Sequence, residues 1–280
     1  MSNKILLIGS SGYIGSRFVK FAKNKINLLN SHTTINKKKR KIIDILNYKA
    51  LDNFLIKNKS IKTIVNLSGQ YGKDFKKISL KGNKNLIKLA KKYNLNILFL
   101  SSTLVYGNKK NYSNEKTKPN PKNNYSKVKY LIENLYFKSN IDYIILRSSN
   151  VYDNFFDKKG LLKNINDSFK YQKNFKCDDL NRVRNFIHIN DFNNLLLKIL
   201  KSSKTFNKKI VNFSSQNLKI ADIIDLFSKK YKFKINITKL KKKKSEDFDN
   251  YIDNKMLIKL TKYKKFTKLQ NVIRSTRNYE

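Results

Sequence analysis

One cysteine, Cys177, stands in 280 residues, with two histidines, His32 and His188, two prolines and no tryptophan. A lone thiol excludes an internal disulfide framework, and so few soft ligands leave no spacing that reads as a metal cluster. Long apolar runs are missing too. None approaches the roughly 20 residues needed to cross a bilayer, and the N-terminus lacks the basic, apolar, small-residue order of a signal peptide. These absences predict a soluble cytoplasmic protein without metal or membrane contact. Acidic residues are scarce, 19 against 62 basic ones, which gives a formal net charge of +43. A charge of that size ordinarily points to a polyanionic partner. Only seven of the 62 are arginine, however, whereas recognition of phosphates and bases draws heavily on the guanidinium fork. The excess lies in Lys, Asn and Ile, which share AT-rich codons, so codon bias accounts for it. Runs occur at Lys37 to Lys41 and Lys241 to Lys244; the other lysines scatter as on a solvated surface. The expectation is no specific nucleic-acid partner, only salt-dependent nonspecific adhesion.

Glycine is nearly as scarce, so its placement carries information. Three of the eight fall at Gly9, Gly12 and Gly15, directly after the apolar run Ile5-Leu6-Leu7-Ile8 and ahead of a helical pattern. Strand, GxxGxxG and helix in that order form a dinucleotide-binding turn: Gly9 permits the tight turn, Gly12 lets backbone approach a pyrophosphate, and Gly15 lets the helix pack on the sheet. Ser11, Tyr13 and Ile14 complete the cradle, where helix-start amides and the helix dipole favour an anion.

Strand patterns at 5–8, 26–29, 42–45, 61–67, 97–100 and 143–146 alternate with helical patterns at 13–23, 48–57, 78–93 and 125–137. That alternation predicts an α/β fold, a Rossmann-type doubly wound parallel sheet over residues 1–150. Beyond it, helices at 161–171, 191–201 and 220–231 and short strands at 186–189, 210–213 and 233–237 predict a smaller α+β substrate lobe over 151–280. The boundary is soft, with strands free to return to the first domain. The lobe would lie over the carboxyl ends of the strands, where such folds bind ligands. Residues 238–250 read as a solvated loop.

Two further motifs carry chemistry. Tyr125 and Lys129 lie four residues apart on one helix face, where the cation favours phenolate and brings the phenol towards proton transfer. Ser101-Ser102-Thr103-Leu104-Val105-Tyr106-Gly107 ends the preceding strand, placing a hydroxyl beside that pair. Both prolines, Pro119 and Pro121, stiffen the intervening loop.

With these motifs in this order, the chain resembles the extended short-chain dehydrogenases/reductases, specifically the NAD-dependent epimerase/dehydratase family that modifies nucleotide sugars. Asp44-Ile45, Asn66-Leu67-Ser68-Gly69, Leu146-Arg147-Ser148-Ser149-Asn150-Val151-Tyr152 and Arg184-Asn185-Phe186-Ile187-His188-Ile189-Asn190-Asp191 also match its pattern. The resemblance implies that Tyr125 is the acid/base and that Lys129 holds the nicotinamide ribose. It makes Ser102 the catalytic hydroxyl, with Ser101 and Thr103 the alternatives if the register moves by one. Asp44 and Ile45 would meet adenine, and Leu67 and Ser68 would pass the cofactor. Asn150 and Thr103 would touch the sugar nucleotide, Arg184 its diphosphate. His188 would serve packing, and the helices at 78–93 and 125–137 would form a homodimer.

Three departures shape the expected activity. Thr103 and Leu104 stand where dehydratases of the family carry an acidic pair, which argues against 4,6-dehydration. Asp153 replaces a glycine. Asn30-Ser31 stands where an acid would bind the ribose of NAD, so NADP is expected alongside NAD. The first reading is a nucleotide-sugar epimerase working by hydride transfer at C4, and the second an NADPH-dependent 4-ketoreductase. A degenerate member binding RNA or protein through its lysines is the third, and the intact glycine motif and Tyr/Lys pair argue against it.

Overall fold

The computed structural model describes residues 3–30, 43–69, 74–108, 111–156, 159–240 and 249–275. The first half runs β1 (Lys4–Ile8), α1 (Tyr13–Ala22), β2 (Leu28–Asn30), α2 (Tyr48–Lys57), β3 (Ile61–Asn66), α3 (Phe75–Tyr93), β4 (Asn96–Ser102), α4 (Asn124–Phe137), β5 (Tyr143–Ser148) and β6 (Asn150–Tyr152). The second runs α5 (Leu161–Lys170), β7 (Phe175–Cys177), β8 (Val183–His188), α6 (Ile189–Lys201), α7 (Ser203–Phe206), β9 (Lys209–Phe213), β10 (Gln216–Lys219), α8 (Ile220–Tyr231), β11 (Ile237–Lys239), α9 (Lys255–Thr261) and α10 (Leu269–Ser275).

Six strands pair in parallel in the order β2-β1-β3-β4-β5-β9. Their near-continuous apolar runs suit a parallel sheet covered on both faces. Successive residues of β1 serve opposite layers: Ile5 and Leu7 pack with Phe18, Phe192, Leu196 and Ile199 from α1 and α6, whereas Leu6 and Ile8 pack with Leu51, Leu86, Leu89 and Ile132 from α2, α3 and α4. The smaller lobe combines the sheet β10-β8-β6 and the pair β11-β7 with α5, α8 and α10, around Phe169, Phe186 and Phe227. β9 and α6 thus belong to the main sheet and its layer, although they follow the lobe's first elements in sequence.

Several boundaries differ from expectation. In the described part of 42–45 there is no strand: Asp44 Oδ1 accepts the Leu46 amide at 2.9 Å and its carbonyl the Asn47 amide at 3.0 Å, closing a turn. The alternating Ile43 and Ile45 are buried for packing, with Ile45 seated on Gly82 of α3, where any side chain would run into it. The strand expected at 233–237 lies at 237–239, and β8 begins three residues before the expected 186–189. Asn250, at the end of the expected loop 238–250, is buried and bonded to Ser113, Asn185 and Gly107. Residues 241–248, the Lys37 to Lys41 run and His32 lie outside the described residues.

Gly15 and Gly12 play different parts here. A Cβ on Gly15 would strike the Gly9 carbonyl oxygen, whereas one on Gly12 would meet that oxygen at an ordinary 3.4 Å. Gly15→Ala is therefore expected to lower stability by roughly 1–3 kcal/mol or more, as overpacking against fixed backbone does. Gly12→Ala should stay within about 1 kcal/mol of the parent, consistent with a helix N-cap that tolerates Ala at modest cost. Equal urea midpoints for the two variants would contradict this assignment.

Candidate active site

The β1–α1 turn is shaped by what presses on it. Gly9 takes φ +82°, and a side chain there would come within 2.8 Å of the Ser68 nitrogen and 2.9 Å of the Leu67 carbonyl carbon. Gly12 is the N-cap of α1 without a side-chain cap, and its amide donates to the Gly9 carbonyl at 3.2 Å. Ser11 and Gly12 are exposed while Tyr13 and Ile14 are half-buried, so the start of α1 offers an uncapped helix terminus with room beside it, chemistry that fits a pyrophosphate. One turn on, the Arg17 guanidinium lies 3.8 Å above the Tyr13 ring and bonds Asp153 Oδ2 at 2.5 Å. Asp153, where the family pattern has glycine, thus ties α1 to the end of β6.

The end of β3 is held from below. Buried Asn66 accepts the Ser68 amide at 3.1 Å and the Ser68 hydroxyl at 2.6 Å, and its Nδ2 donates to Asn83 Oδ1 at 3.1 Å. Tyr136 of α4 donates to the same Asn83 oxygen at 2.6 Å. The neighbouring Asn85 Nδ2 donates to the Ile45 carbonyl at 2.9 Å. α3 therefore positions both expected adenine-side residues, exposed Asp44 and buried Ile45, as well as Leu67 and Ser68.

The three candidate hydroxyls at the end of β4 have different surroundings. Ser101 donates to Glu133 Oε1 at 2.5 Å. Ser102 points to the other side of the strand; its Oγ accepts the Leu104 amide at 3.2 Å and caps the 3₁₀ turn Thr103–Tyr106. Thr103 Oγ1 reaches the Ser148 carbonyl at 3.5 Å. A capping box between Asn123 and Ser126 starts α4. Its second residue, Tyr125, is half-buried with its ring stacked on Phe75, centroids 5.6 Å apart. Lys129 is only 4% exposed; its Nζ donates to the Leu100 carbonyl at 2.7 Å and lies 5.7 Å from the Tyr125 ring centre. A Cβ on Gly69 would be 3.5 Å from that Nζ, so the lysine also abuts the end of β3. Burial pushes the ammonium down to about 8, and the Glu133 carboxylate opposes the shift.

Asn150 and Arg184 lie in the smaller sheet. Exposed Asn150 begins β6 and donates through Nδ2 to the Asn185 carbonyl at 3.1 Å, next to Arg184. Burial, then the charge of Arg182, hold the Arg184 guanidinium below its ordinary value. A cavity of about 50 Å³ lined by Tyr13, Asn150 and Phe186 joins the start of α1 to this sheet. His188 is buried; its Nδ1 accepts the Asn190 amide at 3.3 Å and its Nε2 lies 2.8 Å from Asn154 Oδ1. Among the described residues, no three His, Cys, Asp or Glu side chains are placed to hold a metal, and no helix is long and apolar enough to cross a membrane. Sequence reasoning missed Asn83, Glu133 and the Arg17–Asp153 pair. Glu133 left a signal, since it continues the Tyr125, Lys129 stripe by four residues, and Asp153 left one as a departure from the family pattern.

The Lys129 shift has a stability consequence. Its folded value, about 8, lies below the 10.5 of an ordinary lysine. Below pH 8 both states are protonated and the full burial penalty applies. Between 8 and 10.5 the unfolded chain binds the extra proton, so stability from this group rises with pH, by on the order of 3 kcal/mol. Relative to Lys129→Met, the parent should gain stability across that window in denaturation curves; a constant difference would contradict the shift.

A family model, NAD dependent epimerase/dehydratase family, matches residues 5–213. Over 143 residues the chain is 30% identical to the N-acetyl-alpha-D-glucosaminyl-diphospho-ditrans,octacis-undecaprenol 4-epimerase of Escherichia coli O157:H7, a match spanning 48% of this chain and 42% of that relative. The UDP-glucuronic acid 4-epimerase of Bacillus cereus, solved with UDP-glucuronic acid and NAD, superposes with a TM-score of 0.84 at 21% identity, covering 98% of this chain and 97% of that one. RMD from Pseudomonas aeruginosa, solved with NADPH, superposes with a TM-score of 0.79 at 17% identity and the same coverage. At these identities the structural likeness shows the fold, a Rossmann-type α/β sheet. The family match covers most of the chain, and the chain belongs to the NAD dependent epimerase/dehydratase family.

Proposed function

We propose that this protein is an NAD(P)-dependent epimerase acting at C4 of a nucleotide sugar. The observation that carries the reading is the buried Lys129 ammonium, one helical turn from Tyr125 and against the strand end that presses on the glycine turn. Gly9, Ser11, Gly12, Tyr13, Ile14 and Gly15 would hold the pyrophosphate, Asp44 and Ile45 the adenosine, and Leu67, Ser68 and Lys129 the nicotinamide side. When bound, the nicotinamide supplies the hydride acceptor and donor. Tyr125, kept towards phenolate by Lys129, takes the proton of the sugar 4-hydroxyl and returns it. Ser102 bonds the same oxygen and shortens the proton path, with Thr103 beside it. Asn150 and Arg184 bind the sugar diphosphate, the latter through its guanidinium fork. Thr103 and Leu104 offer no carboxylate for dehydration. An epimerase retains and recycles its cofactor, which favours NAD; the exposed Asn30 ending β2, where an acid would select NAD, leaves NADP and a 4-ketoreductase as the competing reading.

One observation favours a variant of this reading. The Escherichia coli relative is named for a sugar on a polyprenol diphosphate, so the diphosphate recognised here has either a nucleoside or a polyprenol beyond it. Turnover of UDP-N-acetylglucosamine and of the polyprenyl-diphosphate sugar in detergent, measured side by side, decides between them.

Tyr125→Phe is expected to lower turnover at least about 100-fold, the contribution of a positioned acid/base, while mass spectrometry of the denatured variant still finds the parent's dinucleotide. Near-parental turnover would overturn the assignment.

The protein is also proposed to be a homodimer. α3 and α4 pack side by side and leave Ile78, Leu131 and Phe137 39–41% exposed, an apolar face suited to a second copy. Leu131→Glu should convert a sedimenting dimer to monomer; a monomeric parent would refute this.

A further inference from the structure

Glu133 of α4 is fully buried, and its carboxylate is where the helix meets two strands of the main sheet. From β4 the Ser101 hydroxyl donates to Oε1 at 2.5 Å; from β5 Arg147 donates through Nε to Oε1 at 3.1 Å and through Nη2 to Oε2 at 2.6 Å. Ser101 and Arg147 face each other in the β4–β5 register, so a single α4 side chain takes hold of both strands at one rung. The rung before it is held by the same helix, since Lys129 bonds the Leu100 carbonyl. Tyr125, Lys129 and Glu133 follow one another at four-residue steps, a single stripe along α4. Behind Glu133 the guanidinium is covered by the Tyr106 ring at 4.7 Å, and Tyr106 donates to Asn212 Oδ1 of β9 at 2.7 Å.

Stability alone does not explain this arrangement. Replacing a buried ion pair by packed apolar groups is often neutral or favourable. The layer around it is built from Ile97, Phe99, Ile132 and Ile145, residues that would accommodate such a replacement. What an apolar replacement loses is the directed grip on Ser101, one residue before Ser102.

We propose that Glu133 is a positioning residue of the active site: by bonding Ser101 and Arg147 together it fixes the carboxyl end of β4 against α4, and so sets where Lys129 and Ser102 stand. This rests on the reading of Tyr125 and Lys129 as the proton-transfer pair. Among the described residues, the charged and titratable groups around Lys129 are Tyr125 and Glu133 on α4. β4 meets it with the Leu100 carbonyl and the Phe99 ring, the segment after β3 with Gly69, and Arg147 and Tyr106 stand behind Glu133.

The test uses the full chain labelled with ¹³C at lysine ε-carbons, Lys129→Met identifying the resonance that titrates far below the rest. Glu133→Gln strands the Arg147 charge and is expected to melt lower; Glu133→Gln/Arg147→Gln removes both charges and keeps the variant folded. In both, the Lys129 midpoint should fall by about one unit, the low end of what a nearby opposite charge produces, and the basic limb of the kcat profile should move with it. A double variant with parental melting temperature, parental Lys129 midpoint and parental kcat profile would overturn the proposal and leave Glu133 a packing residue. Should the parent turn over no sugar diphosphate while the Lys129 midpoint still moves in the variants, the proposed activity fails and the positioning of Lys129 by Glu133 stands.

Discussion

The site depends on a contact between backbones. The end of β3 lies so close to the β1–α1 turn that Gly9 admits no side chain, and α1 crosses back so tightly that Gly15 admits none over the Gly9 carbonyl. Chain segments this close leave no freedom in where α1 begins, and hence in where its first-turn amides point. The contact is steric and costs only the entropy of glycine in the unfolded chain. It therefore persists at any pH or ionic strength, unlike the charged parts of the site.

Those charged and polar parts follow a second rule. Under the carboxyl ends of the strands the apolar layer gives way to two bonded groups, one of Asn66, Asn83 and Tyr136 and one of Ser101, Glu133 and Arg147. Each group joins strand ends to α3 or α4. Directional bonds fix an angle and a register, which interchangeable Leu and Ile contacts do not. Nearer the amino ends of the same strands, Ile5, Ile61 and Ile97 pack into the two apolar layers.

This division explains what was legible in the sequence. The glycine turn and the Tyr125, Lys129 pair were readable because each is local: three glycines within seven residues, two side chains one helical turn apart. The parallel sheet was readable from its strand and helix periods. Ile43 and Ile45 misled because their burial, Ile45 against Gly82, leaves the same alternation as a paired strand. The place of β9 beside β5 was not readable, since pairing partners 65 residues apart in register, Ile144 and Lys209, leave no local trace. Glu133 looked like any helical glutamate until Arg147 and Ser101 were seen around it. Asp153 read as a replacement of the motif's glycine, and its partner Arg17 lies 136 residues earlier on α1.

The charge composition becomes intelligible at the same point. Among the described residues only three lysine or arginine side chains, Lys129, Arg147 and Arg182, are buried, and at physiological salt a solvated charge is screened beyond about 8 Å. Such charges contribute a diffuse positive field that draws small anions towards the protein without choosing where they bind. Among the described lysines Lys129 is set apart by burial, which brings its ammonium to the edge of neutrality near pH 8. A charge so placed is little screened by salt, and it lies 5.7 Å from the Tyr125 ring centre. Burial also makes that charge costly to hold, and a second buried group of opposite sign lowers the cost. The glutamate four residues further along the helix meets that requirement, which links the charge state of Lys129 to the packing of β4 and β5 beneath it.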